Sequence, residues 1–537
     1  MIRIINIILL LVFAATVLNA QTTVYTWSAP NSTCVKPDYR LNCCPYDKSY
    51  EKLVPAVWLQ MWDAYSTSSI PHLKQMMDSM PLGNRCFHFW NFRWEFDNDP
   101  RDILRDKNGD TIFFTSSLGT KKPFKSIWRE HGIDSINRIL DTFMNKYNKA
   151  GGKLDVVMLD IELGISNWGL SGIAHNLYED SVEAYCRAIT QDPRWASIES
   201  RLDGCKLYPD VINFWSSDCY LKFNSVMAEV VAEQENQAFY KPVQKYFPKV
   251  KCSDYGFFKY SKEYAYKDIN GHQSLKYGNG AVVGTHQAQE TYGWLGQLST
   301  VPGKEPIPGK AFPRTPFNSL LYSVNVMRSM RLSDTLPIMP WIASRAYFSD
   351  GGGAPQSYLS NHDYWQESIL HHALCMTEKD NFLFWNDKGS QSPANYQTSN
   401  SYFNRCMLQA DQILGSEKWV PLCDSLADWY GNTIISKAET PTRFIYRLTP
   451  KLDSANNTFQ KILVNKKPAE FILSGKTITF PEGEVVFFSD TVSKAGYWII
   501  QQKNSIPSAP VCLRLISKTV SSLTVSWNAA TDNIGVS

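Results

Sequence analysis

Leu154-Asp-Val-Val-Met-Leu-Asp160-Ile-Glu162-Leu-Gly164 decides how this chain is read. Val156 to Leu159 shows no polar alternation, so it reads as a strand buried on both faces, the pattern of a parallel sheet covered by helices. The strand runs directly into two carboxylates. Side chains alternate along a strand, so Val156, Met158, Asp160 and Glu162 share one face if the strand continues. In a barrel of parallel strands that face points to the axis, and active sites lie at the C-terminal strand ends. Two acids this close repel when both are ionised, and one of them, Glu162 in this reading, then keeps its proton to higher pH. A proton-holding carboxyl is what glycosidic bond cleavage needs as its general acid. The bland alternative is a pair that caps a following helix or binds a loop arginine.

The surroundings of this strand repeat its pattern. Strands are predicted at 55–62, 85–91, 154–159, 253–258, 281–285, 337–342 and 382–385, with Asp63 just past the first. Helices are predicted at 70–80, 133–149, 177–189, 223–246, 317–331 and 364–376, and Gly151-Gly152 ends the second. Such alternation indicates α/β with parallel strands. The expected fold class is a (β/α)8 barrel with large loop insertions, over residues 21–433. One strand is missing, supplied by 210–214 or by the inserted region. A doubly wound open sheet is the other possibility, but no G-x-G-x-x-G turn supports a nucleotide site. Asn108-Gly109 is a hairpin turn; Asp106, Asn108 and Asp110 alternate like calcium ligands, but Gly109 is misplaced for an EF-hand loop.

Beyond residue 434 the pattern changes to short strands and turns, an all-β domain over 434–505 read as a small β-sandwich. Residues 506–510 are a Pro- and Ser-containing linker. Pro507-Ser-Ala-Pro510, Leu523-Thr-Val-Ser-Trp527 and Ala530-Thr-Asp-Asn-Ile-Gly-Val536 resemble the opening of a fibronectin type III module, over 506–537. The variant is one often appended to secreted bacterial polysaccharide-degrading enzymes. The match spans about 30 residues of a module of about 100, so the module is expected to be truncated here.

At the other end, Arg3 precedes an apolar run from Ile4 to Phe13 and small residues up to Asn19-Ala20. Residues 1–20 read as a secretory signal peptide, and a secreted or cell-surface location follows. No other stretch is apolar for long enough to span a membrane. The 12 cysteines then meet an oxidising compartment. Disulfides are expected among Cys34, Cys43 and Cys44, and among Cys186, Cys205 and Cys219, while Cys375 reads as a small buried residue.

The 537 residues carry 54 Lys and Arg against 51 Asp and Glu, a balance that speaks against a nucleic-acid partner. Charged residues at 20% and hydrophobic residues at 44% exclude a largely disordered chain. Aromatic residues reach 13%, including 17 Trp, which fits either an aromatic core or sugar stacking. H-E-x-x-H, G-x-S-x-G and a Walker loop are all missing, which disfavours the matching peptidases, esterases and nucleotide enzymes. No C-x-x-C pair exists. Neither a metal site nor a cofactor is expected.

The D-x-E strand end resembles the catalytic strand of the family 18 chitinases, D-x-x-D-x-D-x-E. Asp155, Asp160 and Glu162 fall on its first, third and fourth acidic positions, and Met158 replaces the second. An apolar residue there is closer to the hyaluronidase family. The resemblance implies that Glu162 is the acid and that Asp160 orients an acetamido group of the substrate. Other strand ends carry aromatic and polar groups: Trp58, Trp62 and Asp63; His88, Trp90, Trp94 and Glu95; Asp254 and Tyr255; His286 and Glu290; Trp341, Arg345 and Asp350; Trp385, Asn386 and Asp387. Each alone suits a structural role, and together they suit a sugar-binding cleft. The expected substrate-binding residues are Trp58, Trp90, His286, Glu290, Trp341 and Trp385, with Trp341 and Trp385 as the subsite floor. The expected function is an exported glycoside hydrolase acting on a polysaccharide or oligosaccharide. The competing classes are a non-catalytic carbohydrate-binding or adhesion protein and another exported enzyme.

Overall fold

The computed structural model describes residues 24–26, 52–90, 92, 99–115, 121–160, 186–209, 218–254, 266–267, 273–274, 284–286, 291, 315–333, 336–343, 362–377, 379–385, 393–422, 427–428, 430–451, 459–464, 467–473, 476–479, 485–489, 495–503, 511–518 and 523–528. The parallel strands are β1 (Val24–Thr26), β2 (Leu53–Pro55), β3 (Val57–Gln60), β4 (Cys86–Trp90), β5 (Val156–Leu159), β6 (Lys251–Asp254), β7 (Trp341–Ala343) and β8 (Phe382–Trp385). They form two four-stranded sheets, in the orders β7-β8-β1-β2 and β3-β4-β5-β6, and every pair in them is parallel. Ala56 alone separates β2 from β3, so one run of chain passes from the first sheet into the second. The fold is therefore α/β with parallel strands, as the unbroken apolar runs predict.

All four residues of β5 are buried at zero exposure. Each fully buried apolar side chain of this size contributes roughly 1.5–3 kcal/mol. Val57↔Phe87↔Val157↔Cys252 forms one cross-strand row, and Trp58↔His88↔Met158↔Ser253 forms the next. Successive rows face opposite sides of the sheet. The first row packs in a core with Leu140, Phe143 and Tyr147 of a 20-residue helix (Glu130–Lys149). Asp102 caps that helix by accepting from the backbone amides of His131 (3.1 Å) and Gly132 (2.8 Å). Gly151, at φ +78°, ends it in the left-handed conformation that glycine takes without strain.

The first predicted strand is shorter than expected. It ends at Gln60, and Met61–Ser66 is helical. The cause is local: Asp63 accepts from the backbone amide of Gln60 at 3.2 Å and so caps the new helix. Between β6 and β7, three described residues are held by backbone bonds. Thr285 and His286 both donate backbone N–H to Cys252 O, at 3.1 Å, and Thr291 donates to Trp341 O at 2.7 Å. Thr285 and His286 are thus anchored on β6 and Thr291 on β7, which places His286 on the β6 side. Candidate strand 210–214 lies outside the described residues. At the predicted hairpin, Asp106 accepts from the amides of Asn108 (2.8 Å) and Asp110 (2.9 Å), so its carboxylate is spent on the turn.

Cys205 and Cys219 form a disulfide, and Cys186 and Cys375 are buried. Cys34, Cys43 and Cys44 lie outside the described residues. The bridge closes a loop with a sequence separation of 14. Cys205→Ser with Cys219→Ser should therefore lower unfolding free energy by about 3 kcal/mol. Urea unfolding of the pair variant measures this, and an unchanged midpoint would contradict it.

The C-terminal region is all-β. Val420–Pro421, Thr433–Glu439, Arg443–Pro450, Tyr497–Gln502 and Val485–Ser489 form a five-stranded antiparallel sheet in that order. Phe459–Val464, Lys467–Leu473 and Lys476–Thr479 form a second, three-stranded one. The larger sheet rests on the helix His362–Leu374, where Ile434, Ala438, Ile445 and Trp498 share a core with Trp365, Ile369 and Leu370. At this junction Arg447 Nε donates to Glu367 Oε2 at 2.9 Å, a second guanidinium nitrogen pairs with Oε1, and Thr449 donates to the same carboxylate. His371 bridges Ser436 and Thr449, at 2.8 Å each. Gly496 lies against Glu367, where any Cβ would collide with the carboxylate. Val511–Lys518 and Leu523–Asn528 form an antiparallel pair, with register shifts, in the region that resembles a fibronectin module.

Candidate active site

Parallel strands bring their C-terminal ends to one side, and β3, β4 and β5 carry Gln60, Trp90 and Asp160 there. Asp160 directly follows β5 and donates its backbone N–H to Phe89 O at 3.2 Å, so the ladder to β4 still holds at this residue. Strand alternation then puts its side chain on the face of Met158. The carboxylate Oδ2 lies 3.3 Å from His88 Nε2, with side-chain exposures of 7% for Asp160 and 0% for His88. Both polar groups are thus nearly removed from water.

An aromatic wall surrounds the pair. The Trp58 ring meets His88 edge-on with centroids 4.6 Å apart, and Trp90 tilts against Trp58 at 5.3 Å. Trp341 approaches His88 from β7 at 6.3 Å. Trp58 is buried, Trp90 is half-buried, and Trp385 is half-buried on β8 beside Ala343. Apolar rings of this kind exclude water and strengthen electrostatic contacts inside the site.

Several expected residues are placed differently. Trp341 is fully buried, and its indole N–H donates to Asp254 O at 2.8 Å. It braces β6 against β7 from beneath and offers no open face as a subsite floor. His286 is also buried. Its Nδ1 faces Thr285 Oγ1 at 2.7 Å, and its Nε2 lies 3.2 Å from Lys379 O, close to the start of β8. It stands at the N-terminal end of the strands, opposite Asp160, so it is not part of the cleft that the sequence suggested. Asp155 lies at that same end, accepting from Arg85 N at 3.1 Å. Asp63 serves as a helix cap. Glu162 and Glu290 lie outside the described residues, as do Trp94, Glu95, Tyr255, Arg345, Asp350, Asn386 and Asp387. Among the described residues, no three His, Cys, Asp or Glu side chains are grouped to hold a metal ion. No described helix is long and apolar enough to cross a membrane.

Three buried imidazoles couple this fold to pH. Burial pulls His286 down to about 4 and, at the domain junction, His372 to about 4. Burial, then the Arg447 and Arg328 guanidinium groups, holds His371 well below its ordinary value. In the unfolded chain these rings titrate near 6.5. The unfolded state therefore takes up protons first as pH falls. Their contribution is fully present above about pH 6.5 and is lost as pH drops toward 4. Each ring adds up to about 1.4 kcal/mol per pH unit to the slope in that window. His286→Gln should flatten the fall of unfolding free energy between pH 6.5 and 4.5. An unchanged slope would rule out a neutral buried His286.

No family model matches this chain, and no curated protein matches it. Solved structures do align with it. A GH30 endoxylanase from Clostridium papyrosolvens C71 aligns at TM-score 0.33 and 7% identity, over 90% of this chain and 96% of that one. A cold-adapted β-galactosidase from Rahnella sp. R3 aligns at TM-score 0.40 and 9% identity, over 73% of this chain and 57% of that one. A glycoside hydrolase family 5 protein from Bacteroides vulgatus aligns at TM-score 0.31 and 8% identity, over 89% of each chain.

Proposed function

We propose that this protein is an exported glycoside hydrolase that cleaves a polysaccharide or oligosaccharide by carboxylate general acid/base catalysis. The observation that carries the reading is the placement of Asp160: a nearly buried carboxylate at the C-terminal end of a parallel strand, set among Trp58, Trp90 and His88. Glu162 follows two residues later and is the general acid in this reading. Asp160 is the fixed carboxylate that orients the reacting sugar. Trp90 and Trp385, each half-buried, are the rings that a sugar can reach, with Glu290 as a further polar contact.

The strands are read as one (β/α)8 barrel. The two sheets are joined through the β2–β3 run, and the backbone bonds of Thr285 and His286 to β6 and of Thr291 to β7 support a further strand at the remaining gap. The all-β sheets at 420–502 and the strand pair at 511–528 are read as a small sandwich and the start of a fibronectin type III module. Residues 1–20 are read as the export signal. Reducing-end release from a panel of plant, microbial and animal polysaccharides tests the function. Release that requires Glu162 supports it. Tight binding of a polysaccharide without any release would identify a carbohydrate-binding protein instead.

A further inference from the structure

One titratable side chain at the mouth of the strands has no role in the mechanism above. His88 is fully buried inside an apolar strand, Cys-Phe-His-Phe-Trp, and faces Met158 across the β4–β5 ladder. Its diagonal neighbour two residues further along the facing strand is Asp160, the geometry in which a long side chain reaches across a ladder. Nε2 comes within 3.3 Å of Asp160 Oδ2. Trp58 and Trp341 hold the ring from two sides. A buried imidazole costs free energy that an apolar ring of the same size would not. Among Trp58, Met158 and Trp341, Phe or Leu would pack as well, so packing alone does not account for a histidine here.

We propose that His88 is a positioning residue for Asp160. In this structure the imidazole edge lies against Oδ2 at 3.3 Å without the alignment of a hydrogen bond; it restricts the carboxylate rotamer by contact, and Oδ1 is then the oxygen available to a ligand hydroxyl or amide. The tryptophans in turn lock the imidazole, as a precise site requires of its supporting groups. The pairing itself does not depend on the glycosidase reading; its effect on turnover does.

The test therefore has two arms. In the first, the protein is labelled with 15N-histidine. The sequence has nine histidines, and the resonances lost in His88→Gln identify His88. Asp160→Asn should displace the His88 Nε2 resonance while the other histidines stay in place. A His88 resonance that ignores Asp160→Asn overturns the proposal, whatever the protein's activity. In the second arm, His88→Phe is assayed on a panel polysaccharide that the wild type cleaves. Misplacing a reacting group by about 1 Å costs on the order of 100-fold, so kcat should fall about 10- to 100-fold with little change in KM. His88→Gln can place an amide N–H near the Nε2 position and should restore most of the loss. Wild-type kcat in His88→Phe, where Asp160→Asn is inactive, overturns the positioning role and leaves the glycosidase reading standing. Normal activity in Asp160→Asn counts against that reading, and the resonance arm still decides the pairing. If His88→Phe does not fold, His88→Gln and the first arm carry the test.

Discussion

Glu162→Gln lowers turnover by at least about 100-fold, and by up to about 10,000-fold, on any polysaccharide that the wild-type protein cleaves. The glutamine keeps the shape and hydrogen-bonding reach of the side chain, so sugar affinity should change little. What it removes is the proton that the leaving oxygen needs as the glycosidic bond breaks. An effect confined to the transition state appears as lower kcat with an unchanged KM. Initial rates of reducing-end release, with binding measured separately by calorimetry, separate the two quantities. Near-normal turnover in Glu162→Gln would assign the acid to another group. A loss seen only in binding would make Glu162 a substrate contact.

Glu367→Ala destabilises the protein by about 3–5 kcal/mol, the cost of stranding one member of a buried ion pair. Glu367 and Arg447 are both at zero exposure, and Thr449 adds a third bond to the same carboxylate. The alanine leaves a guanidinium in the junction between the helix His362–Leu374 and the C-terminal sheet, where water cannot replace the lost partner. Replacing both residues by apolar ones of similar volume, Glu367→Leu with Arg447→Met, should recover most of that loss, because the desolvation cost of both charges disappears as well. Urea unfolding of the two variants checks both values. A loss below about 1 kcal/mol in Glu367→Ala would mean that the junction admits water.

Pattern made the architecture legible. Strand β5 was found because Val-Val-Met-Leu has no polar alternation, and that alternation is lost only where both faces are covered. Strand β8 and the helices at 130–149 and 316–333 follow from the same local periodicity, and the hairpin at 106–110 follows from its turn residues. Local chemistry acting against pattern moved the end of the first strand. The run from 57 onward is apolar through Trp62 except at Gln60, but the Asp63 cap starts a helix at Met61.

The sequence by itself determined the alternation of strands and helices, the carboxylate at the end of β5 and the tryptophans available near it. These depend on residue spacing, which the chain carries wherever it folds. Only the tertiary structure decided which of these groups meet. His88 and Asp160 are 72 positions apart and come together because β4 and β5 pair in one particular register. His286 is a strand-end histidine by sequence, yet the bond from its amide to Cys252 O sets it at the opposite end of the strands. Trp341 is an aromatic at the end of a predicted strand, and its burial beneath the site depends on the neighbours that β6 and β8 supply. The physical reason is common to all three. Alternation along a strand is local, whereas register, burial and the level of a side chain within the sheet are set by which strand lies alongside.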